Sequence, residues 1–201
     1  MIFDLGGVII DLDFDASYQA FSRLSGLSTE EIAHRTDGMM FFKEYEKGLI
    51  SSQAFRDQIQ GLLEFSAPSE EIDNAWCAML GVIPENRLQM LNKLKHRYRT
   101  FALSNTNEIH VRKFNNIIEN TIGDTHLFHH HFEEVYYSHQ LKKRKPDLEI
   151  YQEVLDRQSL QAEQTLFIDD NHENILGAEK LNIQTFHLKE PAQLTSLFDA
   201  T

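Results

Sequence analysis

The sequence predicts an α/β fold: a parallel sheet with helices on both faces, interrupted after its first strand by a block of helices. Three observations carry this prediction. From residue 100 onward, short apolar runs alternate with helical stretches, the pattern of a parallel sheet built from strand–helix–strand units. The chain opens on an apolar run, Met1 to Ile10, broken by Asp4 and a Gly6-Gly7 turn. Between them, residues 14–97 show helical patterning and nothing strand-like.

Ile2 and Phe3 form the first strand, and Gly6-Gly7 turns the chain out of it. Ser28-Thr29-Glu30-Glu31 is a capping box that opens a helix. A second predicted helix runs from Met39 to Lys47 and stops at Gly48. Ser51 or Ser52 caps a third that reaches Glu64, and Pro68-Ser69 starts a fourth around Trp76. Pro84 fits the first turn of a helix spanning Glu85 to Tyr98. Thr100 to Leu103 is then a buried strand, and Glu108 to Ile118 a helix. Glu134–Tyr137, Thr165–Ile168 and Ile183–Leu188 are further strands. Asp147–Asp156, Asn174–Leu181 and Ala192–Phe198 are the helices around them. The reading is a Rossmann-like core over residues 1–13 and 91–201 with a helical cap over residues 14–90.

Composition bounds the function. Of 201 residues, 41% are apolar and 25% charged, which is ordinary globular composition and excludes disorder, collagen and coiled coil. Acids outnumber bases 31 to 19 for a net charge of -12, so nucleic acid and anionic membrane surfaces are not expected partners. One cysteine, Cys77, excludes an internal disulfide and a Cys-rich zinc site. There is no membrane-length apolar run and no signal-peptide pattern. A cytoplasmic protein, monomeric or a small homo-oligomer, is expected.

Ligands of parallel sheets bind beyond the carboxyl ends of the strands. Asp4 follows the first predicted strand, Ser104-Asn105-Thr106-Asn107 the second, and Asp169-Asp170-Asn171 the strand at 165–168. Lys145-Pro146-Asp147 lies in the loop after Tyr136-Tyr137. An Asp, a Ser, a Lys and an Asp pair thus converge on one edge. Three carboxylates in one place repel and imply a hard cation, with oxygen ligands suited to Mg²⁺. A carboxylate beside a metal-bound phosphate can attack phosphorus. A hydroxyl, backbone N–H groups and an ammonium can hold the phosphoryl oxygens.

Four motifs combine these residues: Phe-Asp-Leu-Gly-Gly-Val-Ile-Ile-Asp (3–11), Leu-Ser-Asn-Thr-Asn (103–107), Arg-Lys-Pro-Asp (144–147) and Phe-Ile-Asp-Asp-Asn-His-Glu-Asn (167–174). In that order the chain resembles the haloacid dehalogenase superfamily of hydrolases, and within it the bacterial α-glucose-1-phosphate phosphatase type. The resemblance implies an aspartyl-phosphate mechanism with Asp4 as nucleophile, Ser104 binding phosphate and Lys145 as the positive clamp. It implies Mg²⁺ on Asp4, the Gly6 carbonyl, Asp169 and Asp170. Asn105, Gly6, Gly7, Lys43, Glu46 and His110 are the candidate substrate contacts. The substrate implied is a small phosphorylated metabolite, a sugar phosphate such as a hexose-1-phosphate.

One departure stands out. Most phosphatases of the superfamily carry a second Asp two residues after the nucleophile as general acid/base, and here Gly6 occupies that position. Such groups contribute roughly 10²–10⁴-fold. A good leaving group, or a substitute such as His110 or a cap residue, is the expected compensation. The rival readings are a 2-haloacid dehalogenase, in which the same Asp attacks carbon without Mg²⁺, and a non-catalytic phosphometabolite-binding protein.

Other features have plainer readings. Lys142, Lys143 and Arg144 read as a solvated basic loop. Asp11, Asp13 and Asp15 read as acids at a helix N-terminus. His126 and His129-His130-His131 read as a surface helix end. Trp76 and the aromatics of Phe41–Glu46 read as cap core, and Asn174 either orients one of the acids or is an ordinary helix residue.

Overall fold

The computed structural model describes residues 1–198. Five strands, β1 (Ile2–Phe3), β2 (Phe101–Ser104), β3 (Glu134–Tyr137), β4 (Leu166–Asp169) and β5 (Gln184–His187), form one sheet in the order β3-β2-β1-β4-β5. Every pairing is parallel. β1 lies at the centre and the chain proceeds to opposite sides of it, so the crevice at the strands' carboxyl ends opens beside Asp4.

Side-chain alternation along each strand decides which face is covered by what. Phe3, Ala102, Val135, Tyr137 and Ile168 belong to one buried cluster, with Leu91 and Leu94 of α6 (Glu85–Leu94) and Phe114 and Ile118 of α7 (Glu108–Ile122). Ile2, Phe101, Leu103, Tyr136 and Phe167 face the other way. They pack on Tyr151 and Val154 of α10 (Leu148–Gln158) and on Ile175 and Ala178 of α11 (His172–Glu179). The core is therefore three layers, helix, sheet and helix.

Five helices precede α6: α1 (Phe14–Ser25), α2 (Thr29–Thr36), α3 (Met40–Glu46), α4 (Ser52–Leu63) and α5 (Ser69–Cys77). Their caps follow from sequence. Ser28 and Glu31 close the capping box on α2, and Ser51 accepts from Ala54 N at the start of α4. Asp13 caps α1 through Ala16 N. Asp11 departs from the reading of a simple acidic helix start, since its Oδ1 lies 2.7 Å from Arg87 Nη2. The block buries its own core: Phe21, Ile32, Phe41, Tyr45, Phe55, Ile59 and Ile72, joined by Ile109 of α7.

Boundaries shift from the sequence reading where local signals are weak. α6 stops at Leu94 rather than Tyr98, and α7 runs on to Ile122, where Gly123 in the left-handed region ends it. Two short helices, α8 (Thr125–His129) and α9 (Ser138–Leu141), were not expected. α12 (Ala192–Ser196) is shorter than predicted.

Phe55 is fully buried and stacks on Tyr45 at 4.5 Å between ring centroids. Replacing Phe55 with Ala should cost about 3–5 kcal/mol in chemical denaturation. A loss under about 1 kcal/mol would mean that this cluster does not hold the helical block together.

Candidate active site

The site is organised by a lysine with no access to water. Lys145 is 0% exposed, and its Nζ lies 2.6 Å from Asp169 Oδ2 and 3.0 Å from Asp4 Oδ1. It also donates to the Leu103 carbonyl at 2.8 Å. One ammonium thus ties the ends of β1, β2 and β4 together. Burial works against its charge, but Asp169 and Asp4 outweigh burial and hold Lys145 above the ordinary lysine range.

The lysine is positioned from its own backbone. Asn105, expected to touch substrate, instead has both amide atoms engaged: Nδ2 donates to the Lys145 carbonyl at 2.9 Å, and the Lys145 N–H donates to Oδ1 at 2.8 Å. The side chain of Asn105 is therefore a clamp on the lysine loop. The Lys145–Pro146 bond is cis.

Asp4, Asp169 and Asp170 each offer a carboxylate oxygen, and these oxygens lie within 4.8 Å of one another. Their surroundings differ. Asp169 is fully buried, accepting from Lys145, from Asn171 N at 2.8 Å and from Asn174 Nδ2 at 3.1 Å. Asn174 is thereby assigned the task of orienting an acid. Asp170 is exposed and has no ion pair among the described residues. Gly7, at φ +72°, passes so close to Asp170 that a Cβ there would collide with its carboxylate.

Three acids face one lysine. Burial pushes the Asp4 carboxyl up to about 8, with Lys145 opposing and Asp169 and Asp170 adding to the rise. Burial and Asp169 likewise raise Asp170. This excess negative charge, offered only by oxygens, fits a hard divalent cation. Asp4, Asp169 and Asp170 together are the carboxylates that could hold Mg²⁺.

Ser104 is buried at the carboxyl end of β2 and lines a cavity of about 180 Å³ together with Gly6, Asn105 and His110. A Cβ at residue 6 would lie 2.9 Å from Leu12 Cδ1, the end of a flexible side chain that would have to shift. His110 is buried and its Nε2 lies 3.1 Å from the Trp76 carbonyl. A carbonyl only accepts, so Nε2 carries the proton. Burial lowers the His110 pKa to about 4, which leaves the ring neutral near pH 7 and a poor proton donor to a leaving group.

The basic loop keeps Lys142 exposed, as the sequence suggested, but its side chains also reach partners. Lys142 Nζ donates to the Gly48 carbonyl at 2.6 Å, and Arg144 Nε to Glu46 Oε2 at 2.8 Å. Lys47 pairs with Asp147 at 2.7 Å, and Lys143 with Glu153. Ser138, fully buried at the start of α9, donates to the Glu46 carbonyl at 2.7 Å and accepts from Thr106 N at 2.9 Å. Lys43 and Glu46 line a second cavity, of about 540 Å³, inside the helical block. The four histidines of the 126–131 segment join no cluster of metal-competent groups among the described residues. Sequence reasoning missed Ser138 and the bridging role of Arg144, which carry no local signature; their partners lie 92 and 98 residues away.

A carboxylate cluster and a buried lysine at the switch point of a parallel sheet belong to hydrolases that break bonds to phosphorus beside a hard cation. The chain belongs to the haloacid dehalogenase-like hydrolase family, which it matches over residues 1–188. It is 28% identical to D-ribitol-5-phosphate phosphatase of Bacteroides thetaiotaomicron over 186 residues, 92% of this chain and 89% of that protein. A family enzyme of the same organism, solved with magnesium and inorganic phosphate, superposes with a TM-score of 0.80 at 33% identity, covering 92% of this chain and 91% of that one. A predicted family hydrolase of Porphyromonas gingivalis gives 0.82 at 29% identity over 98% and 97% of the two chains.

Two outcomes test the site. A group protonated more readily when folded than unfolded loses stability as pH rises between the two pKa values. Asp4, raised from 3.8 to about 8, is such a group. Metal-free Asp4→Asn should therefore gain melting temperature over wild type increasingly between pH 4 and 8, and Mg²⁺ should narrow the gap by favouring the ionised wild-type carboxylate. A pH-independent gap would contradict the geometry. Gly7→Ala should weaken Mg²⁺ binding by calorimetry at least about 10-fold, because Asp170 must move; unchanged affinity would remove Asp170 from the cation site.

Proposed function

We propose that this phosphatase hydrolyses a small phosphorylated polyol or sugar through a phosphoryl group carried on Asp4. The observation that carries the reading is the buried contact of Lys145 with both Asp4 and Asp169. It keeps a carboxylate in a dry, fixed position where an anionic substrate would otherwise be repelled. Asp4 attacks phosphorus as the P–O ester bond breaks, the ester oxygen leaving with a proton taken from water; a second water then attacks the acyl phosphate and gives its proton to solvent, releasing inorganic phosphate and restoring Asp4. Ser104 holds the phosphoryl oxygens, and Lys145 offsets the charge that accumulates on them. Asp4, Asp170 and the Gly6 carbonyl, with Asp169 in support, would hold Mg²⁺, which would neutralise charge on the phosphate.

Cap and core divide by packing: residues 14–77 form their own cluster, whereas α6 belongs to the sheet. We therefore draw the cap boundary before Pro84 rather than at residue 90. Substrate class follows from the resemblance to glucose-1-phosphate phosphatases and from the relative named for ribitol 5-phosphate. Hexose 1-phosphates and pentitol phosphates are the two candidates. The Glu46–Arg144 pair, set between phosphate edge and cap, supports recognition of a hydroxylated carbon chain.

A panel of phosphate monoesters with Mg²⁺ should show release of phosphate from sugar or polyol esters, abolished by EDTA and lowered at least about 10³-fold in Asp4→Asn. Phosphate release at full rate in the variant, or none from any ester, would overturn the mechanism. Halide release from 2-haloacids that persists in EDTA would favour attack on carbon instead.

A further inference from the structure

Trp76 and Tyr137 line the cavity beside Ser104. The Trp76 indole Nε1–H and the Tyr137 hydroxyl are buried hydrogen-bond donors without a protein partner among the described residues. Buried polar atoms are almost always partnered, and those that are not call for a ligand or water. Both side chains are held firmly. The Trp76 ring stacks on His110 at 4.7 Å and on Phe42 at 5.4 Å. Its carbonyl accepts from Ser17 Oγ at 3.1 Å and faces His110 Nε2 at 3.1 Å. Tyr137 is 6% exposed, and it is the register partner of Ser104 on the neighbouring strand, so the two side chains leave the same face of the sheet. Burial drives the Tyr137 pKa up to about 12, which keeps its proton in place.

We infer that Trp76 and Tyr137 are specificity-determining residues that donate hydrogen bonds to oxygen atoms of the substrate's leaving group. This rests on the phosphatase reading above. The cavity of about 180 Å³ has room for about six groups the size of a water molecule. That suits the first few hydroxylated carbons next to the phosphate and does not suit a nucleobase. Trp76 also lines the larger cap cavity, so the residue stands where the two spaces meet. A leaving group without hydroxyls near the phosphate would leave both donors unpaired, and an enzyme built to hydrogen-bond a substrate discriminates strongly against an analogue that cannot reciprocate.

The test compares kcat/KM for ribitol 5-phosphate and for glucose 1-phosphate with that for p-nitrophenyl phosphate, in wild type, Trp76→Phe and Tyr137→Phe. Tyr137→Phe keeps the ring and removes only the donor, whereas Trp76→Phe keeps an aromatic ring in the stack but loses the pyrrole part of the indole with its N–H. The preference for the better polyol ester over p-nitrophenyl phosphate should fall about tenfold in each variant, the value of one hydrogen bond. The melting temperature of free Tyr137→Phe should hold or rise, because an unpaired donor is being removed. An unchanged preference, an equal loss on both kinds of ester, or a lowered melting temperature of Tyr137→Phe would overturn the inference. Wild-type enzyme that cleaves p-nitrophenyl phosphate and neither polyol ester would overturn it too, with the phosphatase reading intact. Wild-type enzyme that cleaves no ester would instead overturn that reading.

Discussion

Lys145 sits at 0% exposure between two carboxylates, and the rest of the site is arranged around the cost of that placement. An unpaired ammonium in the interior is expensive, and so is an unpaired carboxylate. Asp4 and Asp169 make the lysine tolerable; the lysine makes them tolerable in turn. The ends of β1 and β4 are drawn to one point, the Leu103 carbonyl of β2 supplies a third ligand for the ammonium, and Asn105 fixes the loop that delivers it. With Asp170 included, three carboxylates face one ammonium, and that excess of negative charge is the physical reason for a divalent cation, and through it an anionic substrate, to be held there.

The helical cap is tied to this centre through the same loop. Arg144 reaches Glu46 and Lys142 reaches Gly48, while Ser138 links the Glu46 carbonyl to Thr106 in the loop after β2. The residues on either side of the phosphate-facing lysine therefore hold the cap. Exposed pairs of this kind contribute little individually to stability, so their importance lies in geometry. They set how Glu46, Trp76 and Phe14, which line both cavities, stand relative to the phosphate edge.

Much of this was legible in the sequence, for identifiable reasons. Parallel strands buried on both faces read as short apolar runs, so β2, β3 and β4 stood out, and Asp4, Ser104 and Asp169 follow from strand ends. Capping residues such as Ser28 and Ser51 placed the cap helices. What stayed hidden depends on long-range contact. Lys142 and Arg144 look like any charged loop until Gly48 and Glu46 are brought to them. Asn105 reads as a ligand until the Lys145 backbone takes both its amide atoms. Trp76 reads as core because stacking on Phe42 and His110 does not reveal that the indole N–H goes unpaired. α8 and α9 are only 5 and 4 residues long, too short for a periodic signal.

The most direct test of the account is the fate of Asp4 during turnover. Enzyme quenched while hydrolysing glucose 1-phosphate or ribitol 5-phosphate with Mg²⁺, then reduced with borohydride, should yield an N-terminal peptide in which the residue 4 carboxyl has been reduced to an alcohol, and only when substrate is present. Turnover with that carboxyl intact in the trapped peptide would contradict the account.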